Sequence, residues 1–281
     1  MHTWHWHTWQ SLPYLTCSLL DSFSHGFFTQ QFAPRTPEDL TPVLEPLAQT
    51  YRVKQVHGNI VMTSTEIERS LQQGNNDEAP LPPADGVVTE NIRQAAWVCS
   101  ADCVPALIAD TRTRQVAAVH AGWRGTAREI VPQAIARLLD QGSQIRDLRV
   151  ALGPAIAGEV YQVTTQVAAE VGATVVPVVA GQRASAEPET VLEELWQLSK
   201  SPLHPDPHPG RVRLDVRRVN LLQLERLGLS SEQVAIAPYC TYQTPEHFFS
   251  YRRAPLKKVQ WSGIVSGARD ADSGRKGLAT K

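Results

Sequence analysis

Apolar positions along the chain recur at two spacings, and the alternation divides it into short strands and amphipathic helices. Almost uninterrupted apolar runs at 95–100, 105–109, 115–119 and 148–152 predict strands buried on both faces. Shorter strands are predicted at 52–56 and 212–215, and late strands at 234–237, 248–251 and 259–265. His5-Trp6-His7 alternates as a strand does. The clearest helix follows His120: Ala127, Ile130, Val131, Ala134, Ile135, Leu138 and Leu139 share one face. Thr126 and Glu129 have the spacing of a capping box. Pro132 lacks the N–H that would bond residue 128, so a kink or a later start is expected. Gly153-Pro154 breaks the strand before it, and 159–171 then reads as a helix. Another is predicted over 216–227, ended by Gly228.

Between these elements, 72–83 and 201–210 are loops by composition. Neither loop separates regions with motifs of their own, so residues 1–266 are read as one α/β domain. Residues 267–281 are small, polar and charged, and are expected to be disordered. Charge is nearly balanced, 27 basic against 28 acidic residues, with no long basic run. That argues against nucleic acid or an anionic membrane as a partner. Four cysteines are too few for a disulfide scaffold at 281 residues, and a reducing compartment is the simpler reading. No Lys or Arg precedes Arg35 and no apolar run approaches the ~20 residues of a membrane helix, so a cytoplasmic protein is expected.

Chemistry concentrates at the ends of three apolar runs. His57 lies in Gln55-Val56-His57-Gly58, Cys103 in Ser100-Ala101-Asp102-Cys103, and His120 in Val119-His120-Ala121-Gly122-Trp123-Arg124-Gly125. Imidazole and thiolate are the donors zinc prefers, and three protein ligands leave a tetrahedral position open for water. Ligands of open α/β sheets bind beyond strand ends, which is where these residues fall. Each also has a structural reading: a satisfied core histidine, or an inert buried thiol. The glycines after His120 and the planar donor fork of Arg124 favour a ligand site. Asp102 is either a turn residue or a hydrogen-bond partner for a ligating imidazole. Cys99 reads as core packing, Asp215 as a helix cap, and Arg252 and Arg253 as anion contacts or solvated charges.

Taken together, Val53-Lys54-Gln55-Val56-His57-Gly58, Ala84-Asp85-Gly86-Val87-Val88-Thr89, Ser100-Ala101-Asp102-Cys103-Val104-Pro105, Val119 to Thr126, Leu152-Gly153-Pro154-Ala155-Ile156, and Cys240-Thr241 through Phe248 to Arg253 resemble the multicopper polyphenol oxidase, or laccase-domain, family. That family is now linked to purine nucleoside phosphorylase activity. The resemblance implies a four-layer αββα sandwich with mixed sheets. It implies that His57, Cys103 and His120 hold a catalytic zinc, and that nucleosides and phosphate are the partners. Implied activities are phosphorolysis of adenosine, inosine, guanosine and methylthioadenosine, and hydrolytic deamination of adenosine. Arg124 is then the first phosphate candidate, with Gln55 and Arg252 as further substrate or phosphate contacts, and Asp102 as a proton shuttle. After Arg253 the chain departs from the family pattern, with Ala254-Pro255-Leu256-Lys257-Lys258 in place of Asp-Gly and Thr-Gly-Arg segments.

Three alternatives remain at this level. A copper polyphenol oxidase needs several paired His-x-His motifs, and only His5-Trp6-His7 has that form. A peptidoglycan-editing amidase, acting on muramyl precursors, is implied by other members of the family. A non-enzymatic zinc protein would close the site with a fourth ligand, for which Cys99, Cys240 and His247 are the candidates. The oligomeric state is open.

Overall fold

In the computed structural model the described residues are 2–73, 80–176 and 187–267. The expected tail, apart from Gly267, and positions 74–79 of the first loop lie outside them. In chain order the strands are β1 (Trp4–Trp9), β2 (Leu12–Cys17), β3 (His25–Phe28), β4 (Gln49–Tyr51), β5 (Val61–Thr63), β6 (Gly86–Val88), β7 (Gln94–Ser100) and β8 (Val104–Asp110). They continue with β9 (Val116–Ala121), β10 (Leu148–Leu152), β11 (Gln162–Thr164), β12 (Leu203–His204), β13 (Arg211–Leu214), β14 (Val234–Ile236) and β15 (Gln260–Val265). The helices are α1 (Pro37–Leu44), α2 (Ser64–Gln73), α3 (Trp123–Ala127), α4 (Ile130–Asp140), α5 (Thr165–Gly172), α6 (Pro188–Gln197) and α7 (Val216–Arg226).

Every position of β8 is buried, because both of its faces are covered. Val104, Ala106 and Ile108 pack with apolar residues of α4 to α7. Leu107 and Ala109 face the other way, onto Leu15, Phe27, Ala96, Val98 and Ile264 of a second sheet. That second sheet has the order β1-β2-β3-β15-β7-β4, and the sheet containing β8 has the order β14-β10-β8-β9-β6-β5. Phe28, Ala95, Trp97 and Val265, on the outer face of the first of these, pack with Leu40 of α1. The layers are therefore helix, sheet, sheet, helices: a single αββα sandwich. Both sheets are mixed, with β4 parallel to β7 and β14 parallel to β10 among antiparallel neighbours. Small residues at the sheet–sheet contact set how closely the layers approach. A Cβ on Gly153 would overlap the ring of Phe27, which is buried. Gly153→Ala is expected to cost about 1–3 kcal/mol by overpacking, read as a lower urea midpoint at unchanged slope. An unaltered midpoint would contradict this packing.

Several sequence expectations shift. The strand foreseen at 52–56 lies at β4 instead, with Lys54 making one isolated bridge to Pro83. The helix foreseen over 159–171 divides into a 3-10 turn at Gly158–Val160, strand β11 and α5, which starts where the Thr164 side chain accepts from the Val167 N–H. Residues 248–250 are irregular and a turn begins at Tyr251, so the strand expected at 248–251 is not formed. The capping box at Thr126 and Glu129 is not formed: Thr126 lies inside α3, and Glu129 is left-handed at φ 56° between α3 and α4. The later start expected from Pro132 is real, since α4 begins at Ile130. α7 matches its prediction, capped by Asp215 and followed by Gly228 at φ 92°.

Candidate metal centre

Strand register brings the chemistry to one edge. Gly86 pairs with Val119 and Pro105 with His120, so Asp85, Cys103 and His120 stand at neighbouring ends of β6, β8 and β9. His57 reaches the same edge on the loop after β4. One donor atom from each of His57, Cys103 and His120 lies within 4.8 Å of the other two. Among the described residues this is the one cluster of three or more His, Cys, Asp or Glu able to hold a metal. Two imidazoles and a thiolate suit zinc or another borderline-soft ion. His120 is buried, Cys103 partly so and His57 exposed, so the cluster opens to solvent on one side.

Asp85 builds this arrangement. It is fully buried and accepts from the backbone N–H groups of Val56 at 3.2 Å, His57 at 2.9 Å and Gly58 at 2.6 Å. Three successive amides curl around one carboxylate, an anion-binding nest. That curl explains why 52–56 leaves strand geometry and why His57 is left-handed at φ 59°. The His120 Nδ1–H donates to Asp85 Oδ1 at 3.0 Å, which leaves Nε2 as the atom available to a metal once its proton is displaced. Burial opposes charge on Asp85, but His120 and these amides hold its carboxyl below the usual range. Burial alone would raise the Cys103 thiol; the facing His120 and His57 imidazoles pull it below its ordinary value. Burial likewise opposes charge on His120, and the Cys103 and Asp85 anions outweigh it, raising the imidazole. Thiolate character is thus favoured where a metal needs it. Gly122 admits the sulfur: a Cβ there would lie 2.8 Å from Cys103 Sγ.

The other expected site residues fall into two groups. Arg124 is exposed, with its guanidinium 4.3 Å from the Trp123 ring centroid. Arg252 lies 4.8 Å from the Tyr161 ring centroid and donates one Nη1–H to the Gln162 carbonyl. Both leave guanidinium donors for an anion. Gln55, Asp102 and Arg253 serve the scaffold. Gln55 bonds both backbone polar groups of Cys99, at 2.8 and 2.7 Å. Asp102 accepts from the Thr241 hydroxyl at 2.6 Å and from the Arg252 N–H at 2.7 Å, and the imidazole partner is Asp85 instead. Arg253 donates to the carbonyls of Thr241, Tyr242 and Phe248. Of the fourth-ligand candidates, Cys240 Sγ accepts from the Ala157 N–H, the His247 ring packs 4.5 Å from Trp6, and Cys99 stands outside the cluster. His5 and His7 sit on the edge strand β1, bonded to Thr3 and Thr16. Sequence reasoning missed Asp85 and Tyr161; an aspartate leading directly into the apolar run of β6 was the available signal for the first.

Comparison with known proteins gives the family and the fold. A purine nucleoside phosphorylase of Synechocystis sp. is 50% identical over 263 residues, covering 94% of this chain and 97% of its own. One from Mycobacterium tuberculosis is 34% identical over 203 residues, 72% of this chain and 67% of its own. The crystal structure of YlmD from Geobacillus stearothermophilus superposes with a TM-score of 0.73 at 23% identity, covering 94% of this chain and 99% of that one. Its likeness concerns the fold. Residues 40–263 match the model of the multi-copper polyphenol oxidoreductase laccase family, and the chain belongs to that family.

Proposed function

We propose that this protein is a zinc-dependent purine nucleoside phosphorylase. It cleaves adenosine, inosine, guanosine and methylthioadenosine with phosphate to the base and ribose-1-phosphate, and it also deaminates adenosine by hydrolysis. The observation that carries this reading is a three-donor cluster with one solvent-facing side, flanked by two arginines stacked on aromatic rings. Zinc held by His57, Cys103 and His120 supplies a Lewis acid and a water of lowered pKa. Arg124 and Arg252 draw phosphate to the open side and offset its charge. Asp102 acts by fixing the Arg252 backbone, since both of its oxygens already accept hydrogen bonds. Gln55 acts through the Cys99 backbone, steadying the segment that carries His57.

The half-exposed cluster does not favour a structural metal, and copper oxidase chemistry needs ligand sets beyond this one. Four free cysteines fit a reducing, cytoplasmic setting, and no helix among the described residues is long and apolar enough to cross a membrane. The test is to incubate metal-analysed protein with adenosine, with and without phosphate, and identify the products. Adenine plus ribose-1-phosphate, formed only with phosphate, is the expected result, with inosine appearing in either case. Unchanged adenosine in both tubes, or release of serine from a muramyl precursor instead, would overturn the reading.

A further inference from the structure

Beside the metal cluster stands an aromatic residue that the sequence did not single out. Tyr161 sits between the Gly158–Val160 turn and β11. Its backbone is held at both polar groups: the N–H donates to Gly158 at 3.2 Å, and the carbonyl accepts from the Leu214 N–H at 3.0 Å. The ring packs against a small cluster of Ile156, Ala157 and Cys240. Tyr161 is half-buried, and its hydroxyl is not one of the buried polar atoms left without a partner, so it is open to solvent and to a ligand. Cys103, Asp102, Arg252 and Arg124 all lie near enough to act on it electrostatically. A phenol ordinarily titrates at pH ~10, so at neutral pH its O–H is a donor and not a base.

Arg252 completes the pair. Its guanidinium rests on the Tyr161 ring and is tied to the carbonyl of Gln162, the next residue. Its backbone N–H is anchored on Asp102, beside Cys103. Ring, hydroxyl and guanidinium are therefore fixed relative to one another and to a metal ligand. A neutral O–H donor beside a cationic fork with Nε and Nη2 donors to spare matches a tetrahedral oxyanion.

We propose that the Tyr161 hydroxyl and the Arg252 guanidinium together form the phosphate subsite of the metal centre, with Tyr161 donating directly to a phosphate oxygen. This deepens the phosphorylase reading and rests on it for the identity of the anion. Tyr161→Phe removes one donor and keeps the ring under Arg252. Arg252→Lys keeps the charge and removes the fork.

The experiment titrates metal-loaded protein with inorganic phosphate by calorimetry, with the metal content of each variant measured alongside. The wild-type chain binds one phosphate. Tyr161→Phe weakens binding about 10-fold, the scale of one hydrogen bond to a charged group, and Arg252→Lys weakens it by a similar factor; both keep the full metal content. Phosphate binding that is absent in the wild type, or equal in Tyr161→Phe and wild type, overturns the subsite. So does a Tyr161→Phe effect confined to the KM for nucleoside, which would place the phenol against the base or ribose. Tyr161-dependent phosphate binding without nucleoside cleavage supports the subsite and defeats the phosphorylase reading. Nucleoside cleavage with an unaltered phosphate KM in Tyr161→Phe does the reverse.

Discussion

Cys103→Ala is expected to abolish metal retention and to lower nucleoside cleavage by at least ~10³-fold, since even residues that merely orient metal ligands cost about 10–100-fold when changed. The thiolate is the one anionic donor of the cluster. Without it, two neutral imidazoles remain, one of them on an exposed loop. The fold should survive, because Cys103 is only partly buried and alanine removes a single sulfur from the edge of the sandwich. Metal analysis after gel filtration, steady-state rates and circular dichroism together test this. Acid should mimic the substitution, because protons compete with metal for the thiolate and both imidazoles. A metal-free, folded Cys103→Ala protein that still phosphorolyses inosine would remove metal from the mechanism altogether.

How far the sequence reveals such a site depends on how local each cause is. Cys103 and His120 come together because they stand at neighbouring ends of β8 and β9, and a layered α/β fold gathers strand ends at one edge; His57 arrives on a loop that the sequence presents as a strand. The layering itself follows from runs such as 104–110, which have no polar face and must be covered twice. The segment 159–171 was ambiguous: Val160, Val163, Val167 and Val171 recur every three or four residues, and that spacing hides a turn, a strand and a helix whose start is marked only by Thr164. The aromatic run at 248–251 has strand propensity, yet Arg253 gathers the Thr241, Tyr242 and Phe248 carbonyls and holds this segment in an irregular path outside either sheet. Residues 52–56 depart from the expected strand for a comparable reason, since their path is dictated by a carboxylate about thirty positions later. No periodicity records such long-range polar contacts. An aspartate inside an apolar lead-in does record one indirectly, because a buried carboxylate must find donors.

Asp85→Asn is the substitution that separates the scaffold from the metal. Four donors converge on the two carboxylate oxygens: the Val56, His57 and Gly58 amides and the His120 Nδ1–H. Asparagine fits the space but offers one oxygen, and its NH2 group faces N–H donors that cannot accept. The nest also loses the charge that draws its amides together. Breaking a buried charged pair from one side costs about 3–5 kcal/mol, and loss of an oriented imidazole costs about 100-fold in metal affinity. The expected outcome is a urea midpoint lowered even in chelator, where Cys103→Ala and the wild type should differ little. The pH dependence has a definite sign. Asp85 is held below its free value, so the stability it contributes is present above about pH 4 and is lost as the pH falls through the lower folded value. Asp85→Asn should flatten that acid limb as well as lower the midpoint. If the metal-free variant unfolds with the wild-type protein, Asp85 organises the ligands without holding the fold, and the coupling between the strand edge and the His57 loop must come from elsewhere.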